Sequence, residues 1–302
     1  MHVGRLRSIP RLTAVLVLAF LLTALVCIPV YVLILLKLLL PSWRTRIAEE
    51  IVHFCSQWVL GVVWLQRQFL PTRWEIEYEG EFSPELPCLV VANHQSWVDI
   101  PVLLVVLFRR VPFPRFFLKR QLLLLPLLGP VWWGLDYPAL RRHSREYLAR
   151  HPERAGDDLR TVRRMCRRYR GVPASIINFA EGTRFSATKH ARQESPYRHL
   201  LRPRAGGAAF ALSAMEGSVT RLVDLTIAYP AGKPAFLSYL AGELPLVRVR
   251  ARSLEIPREL LQGDYLQDEE YRARFQDYLR GLWEEKDRAL NEMLEERAPQ
   301  PL

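Results

Sequence analysis

Cys88-Leu-Val-Val-Ala-Asn-His-Gln-Ser-Trp-Val-Asp-Ile-Pro-Val-Leu-Leu-Val-Val-Leu-Phe108 decides how this chain is read. Cys88 to Ala92 is a short apolar run with the length and composition of a buried strand. Ile100 to Phe108 is apolar again, with Pro101 in the first turn of an expected helix, where proline is tolerated. His94 and Asp99 therefore fall on a strand-to-helix turn. On one continuous helix, positions five apart would diverge by about 140° and never meet. A turn removes that obstacle. Asp99 can then accept from one imidazole nitrogen and leave the other free to act as a base. Spacing alone is weak support, because a histidine meets an aspartate five residues on by chance about one time in twenty. The flanking strand and helix set His94 apart from the other histidines.

Outward from this stretch, Trp74-Glu-Ile-Glu-Tyr-Glu79 alternates and reads as a strand. Phe113 to Leu118, Ser175 to Phe179 and Arg221 to Tyr229 read as further strands. Helices are expected over Gln121 to Gly129, over an arginine-rich segment at 152–169, and over a charged C-terminal segment at 268–297 that reads as a solvated cover. Strands alternating with helices imply an α/β fold, a largely parallel central sheet flanked by helices. Active sites in such sheets collect beyond the strand C-termini. Asn93-His-Gln-Ser-Trp-Val-Asp99 and Glu181-Gly-Thr-Arg184 each follow a strand directly.

The N-terminus has a different character. Leu12 to Leu40 is nearly all apolar, broken only by Thr13, Thr23, Pro29 and Lys37. It is too long for a signal-peptide core and has no small-residue cleavage pattern. About 20 residues suffice to cross a bilayer once, and two crossings need about twice that. Arginines flank both sides, Arg5, Arg7 and Arg11 before and Arg44 and Arg46 after. The positive-inside rule therefore gives no orientation. A single span and a segment bent near Pro29, entering and leaving on one face, both fit. Ile51 to Leu70, with Trp58, Trp64 and Phe69 among polar residues, reads as an interfacial helix, with an ordinary core helix as the alternative. Residues 1–72 are thus expected to form an apolar membrane-anchoring helical segment, and residues 73–302 a catalytic domain ending in the charged helix.

The formal net charge of the 302-residue chain is +11. Between Arg141 and Arg170 eleven arginines face four acids. Such a run is either a solvated face or a surface for anionic headgroups or an acidic carrier. No nucleic-acid-binding module is recognisable. The four cysteines, Cys27, Cys55, Cys88 and Cys166, are dispersed without a C-x-x-C, which argues against a disulfide framework or a zinc site. No metal and no redox cofactor is implied.

The two motifs together resemble the glycerolipid acyltransferases, the family of 1-acyl-glycerol-3-phosphate acyltransferases, from roughly Pro87 to Pro230. His94 and Asp99 match its His-x4-Asp motif, and Glu181-Gly182-Thr183-Arg184 its Glu-Gly-Thr-Arg motif. Phe117-Leu-Lys-Arg-Gln-Leu122 resembles the segment between them in which a lysine, here Lys119, helps hold substrate phosphate. Gly134 to Arg141 fits the family's second block loosely. Phe179 to His190, followed by Leu201-Arg-Pro-Arg-Ala-Gly206, is most similar to the long-chain branch, which includes bacterial inner-membrane members.

The resemblance implies transfer of a fatty acyl group from acyl-CoA or an acyl-carrier protein to a lysophospholipid such as 1-acyl-glycerol-3-phosphate. It also implies a location at the inner membrane with the catalytic domain facing the cytoplasm, and favours the bent anchor. In this scheme His94 is the base and Asp99 its orienting acid. Arg184 suits a phosphate because a guanidinium binds its oxygens two at a time, and Lys119 adds a second charge. Arg202 and Arg204 lie in a loop that either lines the site or is plain surface. Backbone N–H groups near Gly182 and Thr183 are candidate oxyanion donors. By the family match, Glu181 orients Arg184 or the glycerol hydroxyls. Gln121 to Trp133 reads as core, or as an acyl tunnel or membrane-dipping patch. Two other functions compete. One is an acyltransferase for another lysolipid, such as lysophosphatidylglycerol. The other is a non-catalytic anchored protein that binds anionic lipids, for which the His94–Asp99 pair would be superfluous.

Overall fold

The computed structural model describes residues 2–137, 139, 140, 147, 150–154, 156, 157, 160–162, 164, 173–215, 217–265 and 267–295. Two long helices come first, α1 (His2–Leu39) and α2 (Arg44–Phe69). The strands are β1 (Arg73–Glu79), β2 (Cys88–Ala92), β3 (Pro114–Phe116), β6 (Ser175–Phe179), β7 (Arg221–Ala228) and β8 (Leu246–Glu255). They form one sheet in the order β1-β8-β7-β2-β6-β3. Four of its five pairings are parallel, and only β7 and β8 run antiparallel. A two-stranded ribbon, β4 (Leu118–Lys119) with β5 (Ala139–Leu140), flanks it. The described helices of the domain are α3 (Asp99–Leu107), α4 (Gly129–Gly134), α5 (Ala187–Gln193), α6 (Ala205–Ala214), α7 (Phe236–Leu240), α8 (Arg258–Leu261) and α9 (Glu269–Glu295).

Alternation along the strands builds two cores. Leu89 and Val91 of β2 face α6 and α9, whereas Cys88, Val90 and Ala92 face α3. In β8, Val247, Val249 and Ala251 point into the α3 core. The intervening Arg248, Arg250 and Arg252 face the other way, where Arg250 bonds Glu292 and Arg252 bonds Glu285 of α9. This strand escapes a hydrophobicity scan because arginine takes every second position from Arg248 to Arg252.

Helix α9 is more than a solvated cover. Tyr271, Phe275, Leu279, Leu282, Trp283, Leu290 and Met293 form a buried stripe at spacings of three and four. Lys286 lies in the same stripe, fully buried, and bonds Asp224 and the Leu225 carbonyl of β7.

The anchor differs from the expected bend within residues 12–40. Helix α1 continues through Pro29 and reverses only after Leu39. Leu40, the residue before Pro41, leaves the helical region at φ −122°. Steric pressure from a following proline disfavours the helical conformation. A short 3-10 turn, Pro41–Trp43, then starts α2, so α1 and α2 form a helical hairpin. Gly61 allows the close approach: a Cβ there would sit 2.6 Å from a Leu22 methyl. Trp58 Nε1 donates to Thr23 Oγ1 across the hairpin. The hairpin also lies on the domain, where Lys37 bonds Asp136 and Arg11 reaches the Ala241 carbonyl. Its outer side is apolar and uncovered, with Leu21, Leu25, Ile28, Val32, Leu35 and Leu39 exposed. Ile9–Leu39 is long and apolar enough to cross a membrane by length and composition.

Residues 121–128 form no α-helix, and only Gly129 of the expected helix lies in one, as the first residue of α4. A 3-10 turn (Arg120–Leu124) precedes α4, and Leu124, Leu125 and Trp133 are exposed, which excludes the plain core reading for them. Most of the arginine-rich segment, with Arg141 and Cys166, lies outside the described residues.

Candidate active site

Strand β2 ends at Ala92, and Asn93 fixes the course of the chain beyond it. Its side-chain amide bonds both the carbonyl and the N–H of Ile227 on neighbouring β7. The next residue is His94, and the chain turns into α3 at Asp99. The Asp99 carboxylate has no exposed surface, while the His94 side chain keeps 15% of its own. Asp99 Oδ2 lies 2.8 Å from His94 Nδ1 and also accepts from the Gln95 and Ser96 backbone N–H groups. Oδ1 accepts from the Tyr229 hydroxyl at 2.6 Å. Burial, reinforced by the Asp99 charge, pushes that hydroxyl well above its ordinary pKa, so it stays a donor. The carboxylate can only accept, which assigns the Nδ1 proton to the imidazole and the lone pair to Nε2. Nε2 makes no hydrogen bond among the described residues. The ring stacks on Phe179 with centroids 4.1 Å apart. Ser96, between the pair, is buried, and its hydroxyl donates to the Pro234 carbonyl, which leaves it no role as a nucleophile.

The second motif leaves β6 through a turn. Gly182 has φ +69°, a conformation that favours glycine, and its Cα lies close against the Arg204 side chain, where a Cβ would sit 3.2 Å from Cδ. Its N–H is occupied by the Phe179 carbonyl, so of the two expected oxyanion donors only that of Thr183 has no hydrogen bond among the described residues. Phe185 N–H donates to the His94 carbonyl and binds the two motif loops together.

Glu181 corrects an expectation. Its side chain is fully buried, with Oε1 accepting from the His94 N–H at 2.8 Å and Oε2 from the Leu201 N–H at 3.0 Å. It contacts neither the Arg184 guanidinium nor the open site and acts as a clamp on the backbone. Burial raises its pKa from 4.5 to about 7, against the lowering effect of those two N–H groups.

The cations divide. Arg184 is exposed, its guanidinium 4.6 Å from the ring of the exposed Trp97. Arg204 is exposed beside Gly182, just before α6. Arg202 turns away, bonding carbonyls at the end of α5. Lys119 is exposed on β4 and makes no hydrogen bond to the His94 loop among the described residues. Two lysines join the site that motif reading passed over. Lys189 Nζ bonds Thr183 Oγ1 at 2.7 Å and the Arg184 carbonyl at 3.0 Å. Lys233 Nζ sits 3.4 Å from the Phe185 ring. Partial desolvation lowers its pKa, and the nearby Glu181 and Asp99 charges oppose that shift. Lys189 falls within the Phe179 to His190 segment and was legible there, whereas no motif marks Lys233.

Cys88 sits in the buried strand, where burial pushes its thiol up to about 12, so it holds no thiolate at neutral pH. A cavity of about 350 Å³ lies between α2, the end of α3 and the segment leading into β3, remote from the C-terminal ends of the strands where His94 stands.

The profile of the Acyltransferase family matches residues 75–229. The 1-acyl-sn-glycerol-3-phosphate acyltransferase gamma of Mus musculus is 29% identical over 194 residues, 61% of this chain and 46% of that protein. The Homo sapiens protein of the same name is 28% identical over the same extents. An uncharacterized acyltransferase of Schizosaccharomyces pombe is 26% identical over 222 residues, 68% of this chain and 60% of that protein. The chain spans about half the length of the first of these relatives. Among solved structures, the 1-acyl-sn-glycerophosphate acyltransferase PlsC of Thermotoga maritima aligns with a TM-score of 0.51 at 18% identity, covering 97% of this chain and 99% of that one. The match supports the fold, hairpin included.

Proposed function

The chain belongs to the acyltransferase family, and from that premise we propose that it transfers a fatty acyl group from a thioester donor to the free hydroxyl of a lysophospholipid. The observation that carries this reading is the His94–Asp99 pair, with Nδ1 held at 2.8 Å by a buried carboxylate and Nε2 left open. A free alcohol is a poor nucleophile at neutral pH. His94 Nε2 takes the hydroxyl proton as the oxygen attacks the thioester carbonyl, typically worth about 10²–10⁴-fold. The resulting oxyanion collapses, the C–S bond breaks, and the imidazolium returns its proton to the departing thiolate. Asp99 holds the tautomer and stabilises the imidazolium. Arg184 is the acceptor's phosphate ligand, with Lys233 and Arg204 at the rim and Lys119 as a second charge. Glu181, Gly182 and Thr183 shape the loop that presents them. These cations suit 1-acyl-glycerol-3-phosphate, giving phosphatidic acid, with acyl-CoA or an acyl-carrier protein as donor.

The hairpin supports a membrane-bound reading. We propose that the outer stripe of α1, with exposed Leu124, Leu125 and Trp133, sits in the cytoplasmic face of the inner membrane, drawn also by anionic lipid. Cysteines placed at positions 5 and 46, in a variant without native cysteines, are then both shielded from an impermeant reagent added to intact cells. Labelling of position 5 from outside would reject the arrangement.

The function is tested by assaying the full chain in detergent against a panel of lysolipids with both donor types. Transfer to the phosphomonoester acceptor, abolished in His94→Ala, is expected. Transfer only to a diester such as lysophosphatidylglycerol would reassign the acceptor. Absence of transfer to any acceptor, or wild-type turnover by folded His94→Ala, would overturn the reading.

A further inference from the structure

We propose that the C-terminal helix α9, which lies wholly outside the 75–229 family match, positions the catalytic turn through the segment 198–201, with Asp287 and Trp283 as its positioning residues. The proposal rests on the reading of His94 as the base.

Residues 198–201 have no regular secondary structure, yet Leu200 and Leu201 are completely buried. Buried peptide groups in such a segment need partners. Here the partners come from two sides. On one side is α9: Asp287 accepts from the N–H groups of Arg198 and His199, each at 2.8 Å, and Trp283 Nε1 donates to the Leu201 carbonyl at 3.1 Å. On the other side is the catalytic turn. The His199 carbonyl accepts from the Gln95 side chain at 3.2 Å, and the Leu201 N–H donates to Glu181, whose other oxygen holds the His94 N–H. Two hydrogen-bonded paths therefore run from one face of α9 to the residues on which the imidazole depends. One is Trp283 to Leu201 to Glu181 to His94. The other is Asp287 to His199 to Gln95.

The helix does not need these bonds to stay in place. Lys286 pins it to Asp224, Glu285 bonds Arg252, and Glu292 bonds Arg250. Helix docking and loop positioning are carried by different side chains, so they can be separated by mutation.

The test uses the full chain, with steady-state kinetics and hydrogen exchange on Asp287→Ala, Trp283→Phe, the conservative Asp287→Glu, and Glu285→Gln as the docking control. For Asp287→Ala and Trp283→Phe, kcat is expected to fall about ten- to a hundredfold with both KM values within about twofold, the cost of a sub-ångström to 1 Å misplacement. Asp287→Glu is expected to recover part of the loss. Glu285→Gln is expected to lower Tm while kcat holds. In parallel, the amides of residues 94–96 exchange faster in Asp287→Ala and unchanged in Glu285→Gln. Wild-type kcat in Asp287→Ala and Trp283→Phe, or a kcat loss in Glu285→Gln matching theirs, overturns the positioning role. Unchanged protection of residues 94–96 in Asp287→Ala overturns it even if the chain transfers no acyl group. Loss of protection in a chain without His94-dependent turnover supports the positioning and rejects only the assignment of His94.

Discussion

Asp99 and Arg184, the orienting acid and the phosphate ligand of the proposed reaction, are held in opposite ways. Asp99 has no exposed surface and accepts four hydrogen bonds, from His94, Gln95, Ser96 and Tyr229. Arg184 is exposed, and its guanidinium rests against a single ring, that of the exposed Trp97. The two proposed roles account for the difference. A base must meet its proton within a fraction of an ångström, so its orienting group is over-determined. A phosphate ligand must leave one partner for another at every turnover, so it is only parked. Binding can tolerate a mobile cation, but proton transfer cannot tolerate a mobile imidazole.

The largest effect tests the fixed side. His94→Ala is expected to lower kcat by about 10³-fold or more, near the upper part of the range for loss of a general base, with circular dichroism and membrane association unchanged. Asp99→Asn comes next. An amide offers one acceptor oxygen in place of two and can favour the wrong tautomer, for which a fall of about 10²–10⁴-fold in kcat is expected with little change in either KM. Equal falls in kcat and rises in KM would mean that Asp99 holds substrate, and the contrast would fail.

Arg184→Ala probes the mobile side. Losing charge-assisted bonds worth about 1.5–3 kcal/mol raises the KM for the phosphate-bearing acceptor about ten- to a hundredfold, with the donor KM unchanged. A rise in the donor KM alone would move Arg184 to the other substrate. Lys119→Ala acts in the same direction and more weakly, because a lysine offers a point charge without the planar fork.

The smallest fall in kcat is expected for Glu181→Gln, about tenfold: the amide oxygen still accepts from the His94 N–H, but its NH2 group faces the Leu201 N–H and that bond is lost. Its signature lies in stability. The Glu181 pKa rises from 4.5 to about 7 on folding. The folded state therefore holds more protons than the unfolded state between those values. Wild-type stability falls as pH rises through that window, by at most about 3–4 kcal/mol at about 1.4 kcal/mol per unit. Glu181→Gln loses this slope. Denaturant midpoints at pH 4.5 and pH 8 check it, and an equal slope in both proteins would show that the carboxylate is not desolvated.

The parts of the site visible in the sequence were those written in consecutive residues. Strands β2 and β6 are apolar runs, and each carries its motif at its end, so His94, Asp99 and Arg184 could be named with their strand-end positions. What depended on distant partners was not legible. Tyr229 reaches Asp99 only because β7 lies beside β2. Glu181 looked like a substrate group because a carboxylate beside an arginine suggests one, and only the fold shows it turned inward. Strand β8 was passed over because every second residue from Arg248 to Arg252 is arginine, and the acids that pair with it lie on β1, β7 and α9. Within the hairpin, Pro29 suggested the bend, but the reversal occurs at Leu40 and Pro41, where a proline comes after the end of the helix and does not interrupt it.

Lys286 has a consequence of another kind. A one-turn slide of α9 along the sheet would bring Leu282 or Leu290 opposite Asp224, both of which already lie on the buried stripe. Although Trp283 would give way to Leu279 or Asp287, at that one position hydrophobic packing would scarcely notice the exchange. The carboxylate would, since stranding a buried charge costs about 3–5 kcal/mol. The ion pair therefore works as a detent, and together with the buried Trp283 it holds the helix at one stop along the sheet. Trp283 and Asp287 flank that stop on either side, so where they meet the 198–201 segment is indexed from the middle of the sheet.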